Sequence, residues 1–303
     1  MKQTRIDRLR TRLTAEAGID TVKAQTLHSW ELSHVERLTT RDGGTVVLKV
    51  ASEPFTREAD HLHCAHRAGI RVPRLLGVVH EASTVGMLQK DLGPGVREPT
   101  DADGIAAALA LHTASVPGHL EEGGSAWLTC LPQRALDTVG ALRERGRWGD
   151  TERIADLLRL VSDAAPARAQ GAELAPYGWV HSEFHPTSLI VTGEGVSVLD
   201  LARTFHGPGL MDLASWHGTV DPADPDLLAG FLDSYVEAGG PAQTLSRRGG
   251  LDAARWALGW HRVWIVEWYL SQAARWMDNP ETDPLYIRVV GTHLEEATAL
   301  LDL

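Results

Sequence analysis

The chain has 303 residues, and 29 Lys and Arg stand against 40 Asp and Glu, for a formal charge of −11. That acidic balance argues against nucleic acid as a partner, and Arg, His or Glu interrupts every apolar run before it reaches membrane-spanning length. The opening stretch MKQTRIDRLRTRLTAEAG has no apolar signal core, and Cys64 and Cys130 are too few for a disulfide framework, so a cytoplasmic protein is expected.

The length suits one two-lobed protein or two small domains. Charge is uneven along it. Residues 1–93 hold 14 Lys and Arg against 11 Asp and Glu, and residues 94–303 hold 15 against 29. The acidic part could steer a cationic partner, or it could serve solubility alone.

In chain order, Ile6, Leu9 and Leu13 recur at helical spacing and predict a short amphipathic helix over 4–16. Strand patterns follow over 25–35 and 36–50, the second turning at Arg41-Asp42-Gly43-Gly44. Alternation then puts Val46, Leu48 and Val50 on one face and Val47 and Lys49 on the other. Lys49 is one of only four lysines. Read alone, it is an edge residue reaching water along its stem before it is a phosphate ligand. Ser52 can cap a helix through Glu53-Pro54 that runs to Gly69.

Runs 75–79 and 84–89 read as strands, and Lys90-Asp91-Leu92-Gly93-Pro94-Gly95 breaks the pattern. Beyond it, 101–116 reads as a helix, 120–130 as a Gly-rich loop, 133–145 and 152–164 as helices, and 165–178 as a polar connection. Leu189-Ile190-Val191 and Val196-Ser197-Val198-Leu199 flank Thr192-Gly193-Glu194-Gly195, which predicts a hairpin. Residues 225–238 form a further helix ending at Gly239-Gly240, and 249–303 is mostly helical.

Two clusters invite other readings. His61, His63, Cys64 and His66 share one predicted helix, but His61 with Cys64 and His63 with His66 face different sides. Neither pair has an evident third ligand, so solvated or half-buried histidines are expected before a zinc site. Trp256, Trp260, Trp264 and Trp268 recur every four residues and sweep about 120° of one helix face. A core-facing stripe is the simpler reading; an aromatic wall that stacks on a cationic or sugar ligand is the other. Arg262 and Glu267 could add polar contacts there. No G-x-S-x-G exists to support a serine hydrolase.

The stretch from Trp179 to Ala214 carries the chemistry. His181, Glu183, His185 and Ser188 precede the hairpin and Asp200 ends its second strand. A hairpin fixes such groups close together. A loop carboxylate, a second oxygen ligand and a strand-end carboxylate make a magnesium and phosphate site.

This stretch resembles the catalytic segment of the aminoglycoside phosphotransferase-like kinases, which runs H-G-D-x-H-P-x-N, then a hairpin, then I-D, then G-x-x-x-D-L-A. His181, His185, Pro186, Asp200, Gly207 or Gly209, Asp212, Leu213 and Ala214 match. Glu183 stands where the family has its catalytic Asp, and Ser188 where it has its metal-binding Asn. The phrase READHLHCAHRAGIRVPRLLGV resembles the family's segment after the strand lysine, with Glu58 as its helix glutamate. Residues 89–95 resemble its hinge, E-D-L-x-G, with Lys90 for Glu, and ALALHTASVP resembles L-A-x-L-H-x-x-x-P. The loop 27–34 lacks the glycines of a phosphate loop, and no Walker A sequence occurs.

The resemblance implies an α/β (α+β) two-lobed kinase-like fold. Residues 1–90 would form a small β-sheet nucleotide lobe, and 91–303 a mainly helical lobe that carries the hairpin and binds the acceptor. It implies transfer of the γ-phosphoryl group of ATP or GTP, with Mg²⁺, to a hydroxyl. Lys49, set by Glu58, would hold phosphates; Gln89, Lys90 and Leu92 would read the base; Asp200 and, more weakly, Ser188 would bind the metal; Glu183 would take the proton. His181 and Asp212 would support the loop. Three functions follow: a kinase for an antibiotic, sugar or amino alcohol; a kinase for Ser or Thr of a ribosomal precursor peptide; or a degenerate kinase that binds without catalysis. The fold favours none of them.

Overall fold

The structure, a computed structural model, describes residues 1–218, 221–277 and 279–303. Its elements in chain order are α1 (Gln3–Glu16), β1 (Thr21–Ser29), β2 (Ser33–Thr40), β3 (Thr45–Ser52), α2 (Glu58–Arg67), β4 (Leu75–Glu81), β5 (Thr84–Lys90), α3 (Asp101–Thr113), α4 (Ser125–Glu144) and α5 (Glu152–Arg168). Then come β6 (Tyr177–Val180), β7 (Leu189–Thr192), β8 (Gly195–Val198), β9 (Phe205–Pro208), α6 (Leu210–Ser215), α7 (Pro225–Glu237), α8 (Ala253–Ser271) and α9 (Asp283–Leu300). The mixed fold is a small antiparallel sheet with a larger helical part. No described helix is long and apolar enough to cross a membrane.

The chain forms two compact units, Met1–Asp103 with Thr187–Thr204, and Gly104–Pro186 with Phe205–Leu303. By its contacts the β7–β8 hairpin counts with the first unit, where the sequence grouped it with the second.

The first unit is built on an antiparallel sheet in the order β1-β2-β3-β5-β4. Gly43, at φ +87, supplies the left-handed turn between β2 and β3. Leu9 and Leu13 of α1 pack on Leu38, Val46, Leu48, Val50, Val79 and Leu88. Burial of each leucine is worth about 2 kcal/mol. Gly86 allows this approach, since a Cβ there would lie 3.0 Å from Leu13 Cδ1. Arg10 adds a polar tie: it pairs with Glu36, whose carboxylate lies 3.3 Å from His34 Nε2, and His34 Nδ1 is 3.1 Å from Ser29 Oγ.

The alternation in β3 holds. Leu48 and Val50 are fully buried under α1, and Lys49 faces the other way. β3 lies between β2 and β5, so Lys49 has no edge from which to reach water. The helix after β3 starts later than the Ser52 cap predicts. Ser52 instead ends the β3–β5 ladder opposite Thr84, and α2 begins at Glu58.

In the second unit, α4, α5, α8 and α9 share a core that includes Val139, Leu142, Leu158, Val266, Leu270, Val290 and Leu294. Helix α4 begins at Ser125, inside the predicted Gly-rich loop, and passes through Pro132. Proline removes one helical N–H donor. Burial of Trp127, Leu128, Leu131, Ala135, Val139 and Leu142 along the same helix outweighs that loss. The pair β6 and β9 went unpredicted: no tight turn joins them, and their partners lie some 25 residues or more apart in the chain.

The tryptophan row is core. Trp256 and Trp260 are fully buried and both indole N–H groups donate to the Arg168 carbonyl, at 2.7 and 3.1 Å. Trp264 packs against Trp127 and Phe205 with centroids 5.0 and 5.7 Å away. Arg262 pairs with Glu296 at 2.7 Å, and Glu267 accepts from Ser271 Oγ at 3.0 Å.

His261 and His293 are buried beside Arg262. Burial first, then Arg262 and His293, pushes the His261 pKa down to about 3. Burial and Arg262 lower His293 too, although Glu296 pulls the other way. Unfolded, both titrate near 6.5. Below that pH the unfolded chain binds more protons, so stability is full above about pH 6.5 and falls as pH drops toward the folded values. Urea midpoints should therefore fall from pH 7.5 to pH 5, and fall less in His261→Gln. A midpoint that stays flat across that range in wild type would contradict this.

Candidate active site

In the first unit, Lys49 Nζ lies 2.7 Å from Glu58 Oε1 and 2.7 Å from Asp200 Oδ1. β3 presents the lysine, the first turn of α2 the glutamate, and the end of the β7–β8 hairpin the aspartate. Burial alone would push the lysine pKa down; the Glu58 and Asp200 carboxylates more than offset this and hold it above its ordinary value. The ammonium therefore stays charged at the floor of a cavity of about 270 Å³. Val35, Val47, Leu62, Ile190 and Leu199 form its apolar walls, and residues 89–93 one rim.

Of the residues named from sequence, Lys49, Glu58, Gln89, Lys90, Leu92 and Asp200 all line this cavity. Ser188 is buried beside it, its carbonyl accepting the Leu199 N–H at 2.8 Å. Lys90 donates its N–H to the Arg74 carbonyl at 2.8 Å, so that group is engaged within the sheet. Sequence reasoning missed Arg37, which holds Asp91 at the same rim (Nε to Oδ2, 2.5 Å) while Asp91 Oδ1 accepts the Gly93 N–H at 2.9 Å. No local pattern joins residues 54 positions apart.

Asp200 has φ +59. A non-glycine residue there carries strain of order 1 kcal/mol, which surrounding contacts must balance. Its side chain is 53% exposed, so solvent or a ligand can reach the carboxylate. Mg²⁺ is commonly held by one or two carboxylates plus substrate phosphates. Among the described residues no group of three or more His, Cys, Asp or Glu gathers to hold a metal ion. The exposed Asp200 carboxylate is a donor of the kind that Mg²⁺ takes alongside phosphates.

Glu183 belongs to the second unit, on the loop after β6. That loop is tied from behind by Asp212 on α6, whose two carboxylate oxygens accept the His181 N–H at 2.8 Å and the Ser182 N–H at 3.0 Å. The Glu183 N–H points to His181 Nδ1 at 3.3 Å. His112 on α3 lies 3.4 Å from Asp212 Oδ2 and 3.0 Å from the Tyr235 hydroxyl. Ser182, at φ +75, stands where the family motif has glycine. Burial, then the Glu183 carboxylate, raises the pKa of Tyr269.

A family model described as "Phosphotransferase enzyme family" matches residues 24–251. The chain belongs to the phosphotransferase enzyme family. This phosphotransferase is similar in structure to a choline/ethanolamine kinase family protein from Mesorhizobium loti, with TM-score 0.67 and 18% identity over 98% of this chain and 95% of that one. It is also similar to an aminoglycoside-3'-phosphotransferase of type VIII (TM-score 0.59, 19% identity, 88% and 100% covered). A macrolide 2'-phosphotransferase from Brachybacterium faecium gives TM-score 0.60 at 15% identity, with 95% and 98% covered. At these identities the structures speak for the fold. No curated protein matches the phosphotransferase.

Proposed function

We propose that this phosphotransferase moves the γ-phosphoryl group of ATP or GTP to a hydroxyl of a small molecule such as an antibiotic, sugar or amino alcohol. The observation that carries the proposal is the Lys49–Glu58–Asp200 arrangement at the floor of the apolar cavity. The purine lies between the apolar walls, with the main chain of residues 89–92 at its edge. Lys49, kept charged and aimed by Glu58, binds phosphate oxygens. Asp200, with Ser188 as a weaker oxygen donor, would hold Mg²⁺, which would supply positive charge against the phosphates. The acceptor oxygen bonds to the γ-phosphorus as the bond to the β–γ bridging oxygen breaks. Glu183 orients the acceptor hydroxyl and takes its proton.

Choline or ethanolamine, aminoglycoside and macrolide appear in the names of the structural neighbours. They support a small-molecule acceptor. The acidic excess after residue 93 favours one that carries a cation, such as an amino sugar or amino alcohol.

Millimolar ATP or GTP with Mg²⁺ should raise the Tm by several degrees, since ligand at a hundred times Kd adds about 2.7 kcal/mol. Lys49→Ala and Asp200→Ala should each remove most of that rise. A panel of amino sugars, amino alcohols, macrolides and a Ser/Thr peptide then reads transfer. No shift with either purine would defeat the proposal. A shift without transfer to any acceptor would favour a binding protein that has lost catalysis.

A further inference from the structure

The histidine cluster in α2 conceals a residue with a different task. His61 is buried, and its Nδ1 lies 2.8 Å from the carbonyl oxygen of Leu201. Leu201 is the next residue after Asp200 and is itself fully buried. His61 follows Glu58 by three positions, so both stand on one face of α2. Glu58 reaches Asp200 through Lys49, and His61 reaches the backbone just beyond Asp200 directly. The Asp200 segment is thereby held at two points by one helix, once at the side chain and once at the Leu201–Ala202 peptide.

The second hold matters because of the backbone at Asp200. With φ +59 and no glycine to relax it, this residue keeps its left-handed conformation only while its surroundings fix it. The Lys49 contact fixes the carboxylate at one end; a donor on the Leu201 carbonyl fixes the peptide one residue further on, between Leu201 and Ala202. Phosphoryl transfer depends mainly on positioning and electrostatics, so a carboxylate that wanders loses metal affinity before it loses charge.

We propose that His61 is a positioning residue for Asp200. The imidazole donates from Nδ1 to the Leu201 carbonyl and sets the angle at which Asp200 meets the metal–nucleotide complex. This rests on reading Asp200 as the metal carboxylate, and one arm of the test below works without metal or nucleotide.

The experiment compares wild type with His61→Leu, which keeps an apolar volume in the core, and His61→Asn, which restores a donor near the Nδ1 position. Hydrogen–deuterium exchange is followed over residues 199–204 in the nucleotide-free protein. The Mg²⁺ concentration that gives half of the ATP-dependent Tm rise is measured alongside. Loss of a group that orients a metal ligand commonly costs about tenfold to a hundredfold in metal affinity. His61→Leu should therefore exchange about tenfold faster over 199–204 and raise the Mg²⁺ midpoint about tenfold, with the exchange of β2 and β3 unchanged. His61→Asn should recover most of both.

Unchanged exchange and an unchanged Mg²⁺ midpoint in His61→Leu would overturn the assignment and leave phosphotransfer standing. So would an Asn variant no better than Leu, because a packing role would not distinguish donors. Wild type that shows no ATP-dependent shift would defeat the phosphotransfer reading and, with it, the metal-positioning role.

Discussion

Glu183→Gln is expected to lower turnover by about a hundredfold to ten-thousandfold, the usual contribution of a positioned general base, while the ATP-dependent Tm rise stays as in wild type. Glutamine keeps the length and shape of the side chain and loses only the ability to take a proton. The loop should not move, because Asp212 holds the His181 and Ser182 amides at 2.8 and 3.0 Å whatever side chain follows. In the proposed function nucleotide binding draws on Lys49, Glu58 and Asp200, which belong to the first unit. Glu183→Asp is a second probe. It withdraws the carboxylate by about 1 Å, a misplacement that can cost about a hundredfold, although it restores the family's own residue. The measurement is product formation with an acceptor that wild type uses. Wild-type turnover in Glu183→Gln would remove Glu183 from the role of base.

Arg248→Ala should cost about 3–5 kcal/mol of stability, the range seen when a buried charged network loses one partner. Arg248 is almost fully buried and its guanidinium donates to main-chain carbonyls: Gly171 at 3.1 Å, Thr244 at 3.1 Å, Ser246 at 3.1 Å, Gln243 at 3.2 Å and Ala175 at 2.9 Å. Burial lowers its pKa to about 10, so it is still charged at pH 7. It also sits 5.6 Å from the Trp256 ring centroid. One side chain thus ties the segment after α5 to the segment before α8. Without it these carbonyls lose a common donor, and each buried acceptor left unpaired costs about 1–3 kcal/mol. Arg248→Lys should recover less than half, because an ammonium cannot reach carbonyls on several sides as the planar fork does. Urea denaturation at pH 7 reads both variants. A loss below 1 kcal/mol in Arg248→Ala would show that water replaces the guanidinium.

Residues whose environment follows from their own neighbours were legible in the sequence. Lys49 stands out through the family-like segment with Glu58 that follows its strand, since alternation alone only puts it opposite Leu48 and Val50. Asp200 stood out because a hairpin must end where its turn chemistry dictates. The other missed features depend on partners far along the chain. His61 reads as one more solvated or half-buried histidine until Leu201, 140 positions away, supplies its acceptor. Arg37 has no local feature that announces Asp91. Helix α4 was cut short because Pro132 is a strong local stop signal, whereas the burial that overrides it is tertiary. Nothing local announces the left-handed backbone of Ser182, whose N–H is held by Asp212, 30 positions away.

The tryptophan distribution has a spectroscopic consequence. Of ten tryptophans, only Trp30 belongs to the first unit, where its ring lies 5.9 Å from that of Phe55. The other nine, the α8 row among them, belong to the second unit. Intrinsic emission is therefore almost wholly a signal from the helical unit, and a melt of the first unit's sheet would pass nearly unseen by it. Far-ultraviolet circular dichroism reports both units. A dichroism transition that precedes the emission transition would show the sheet unit opening first, and a nucleotide should then move the first transition and leave the second in place.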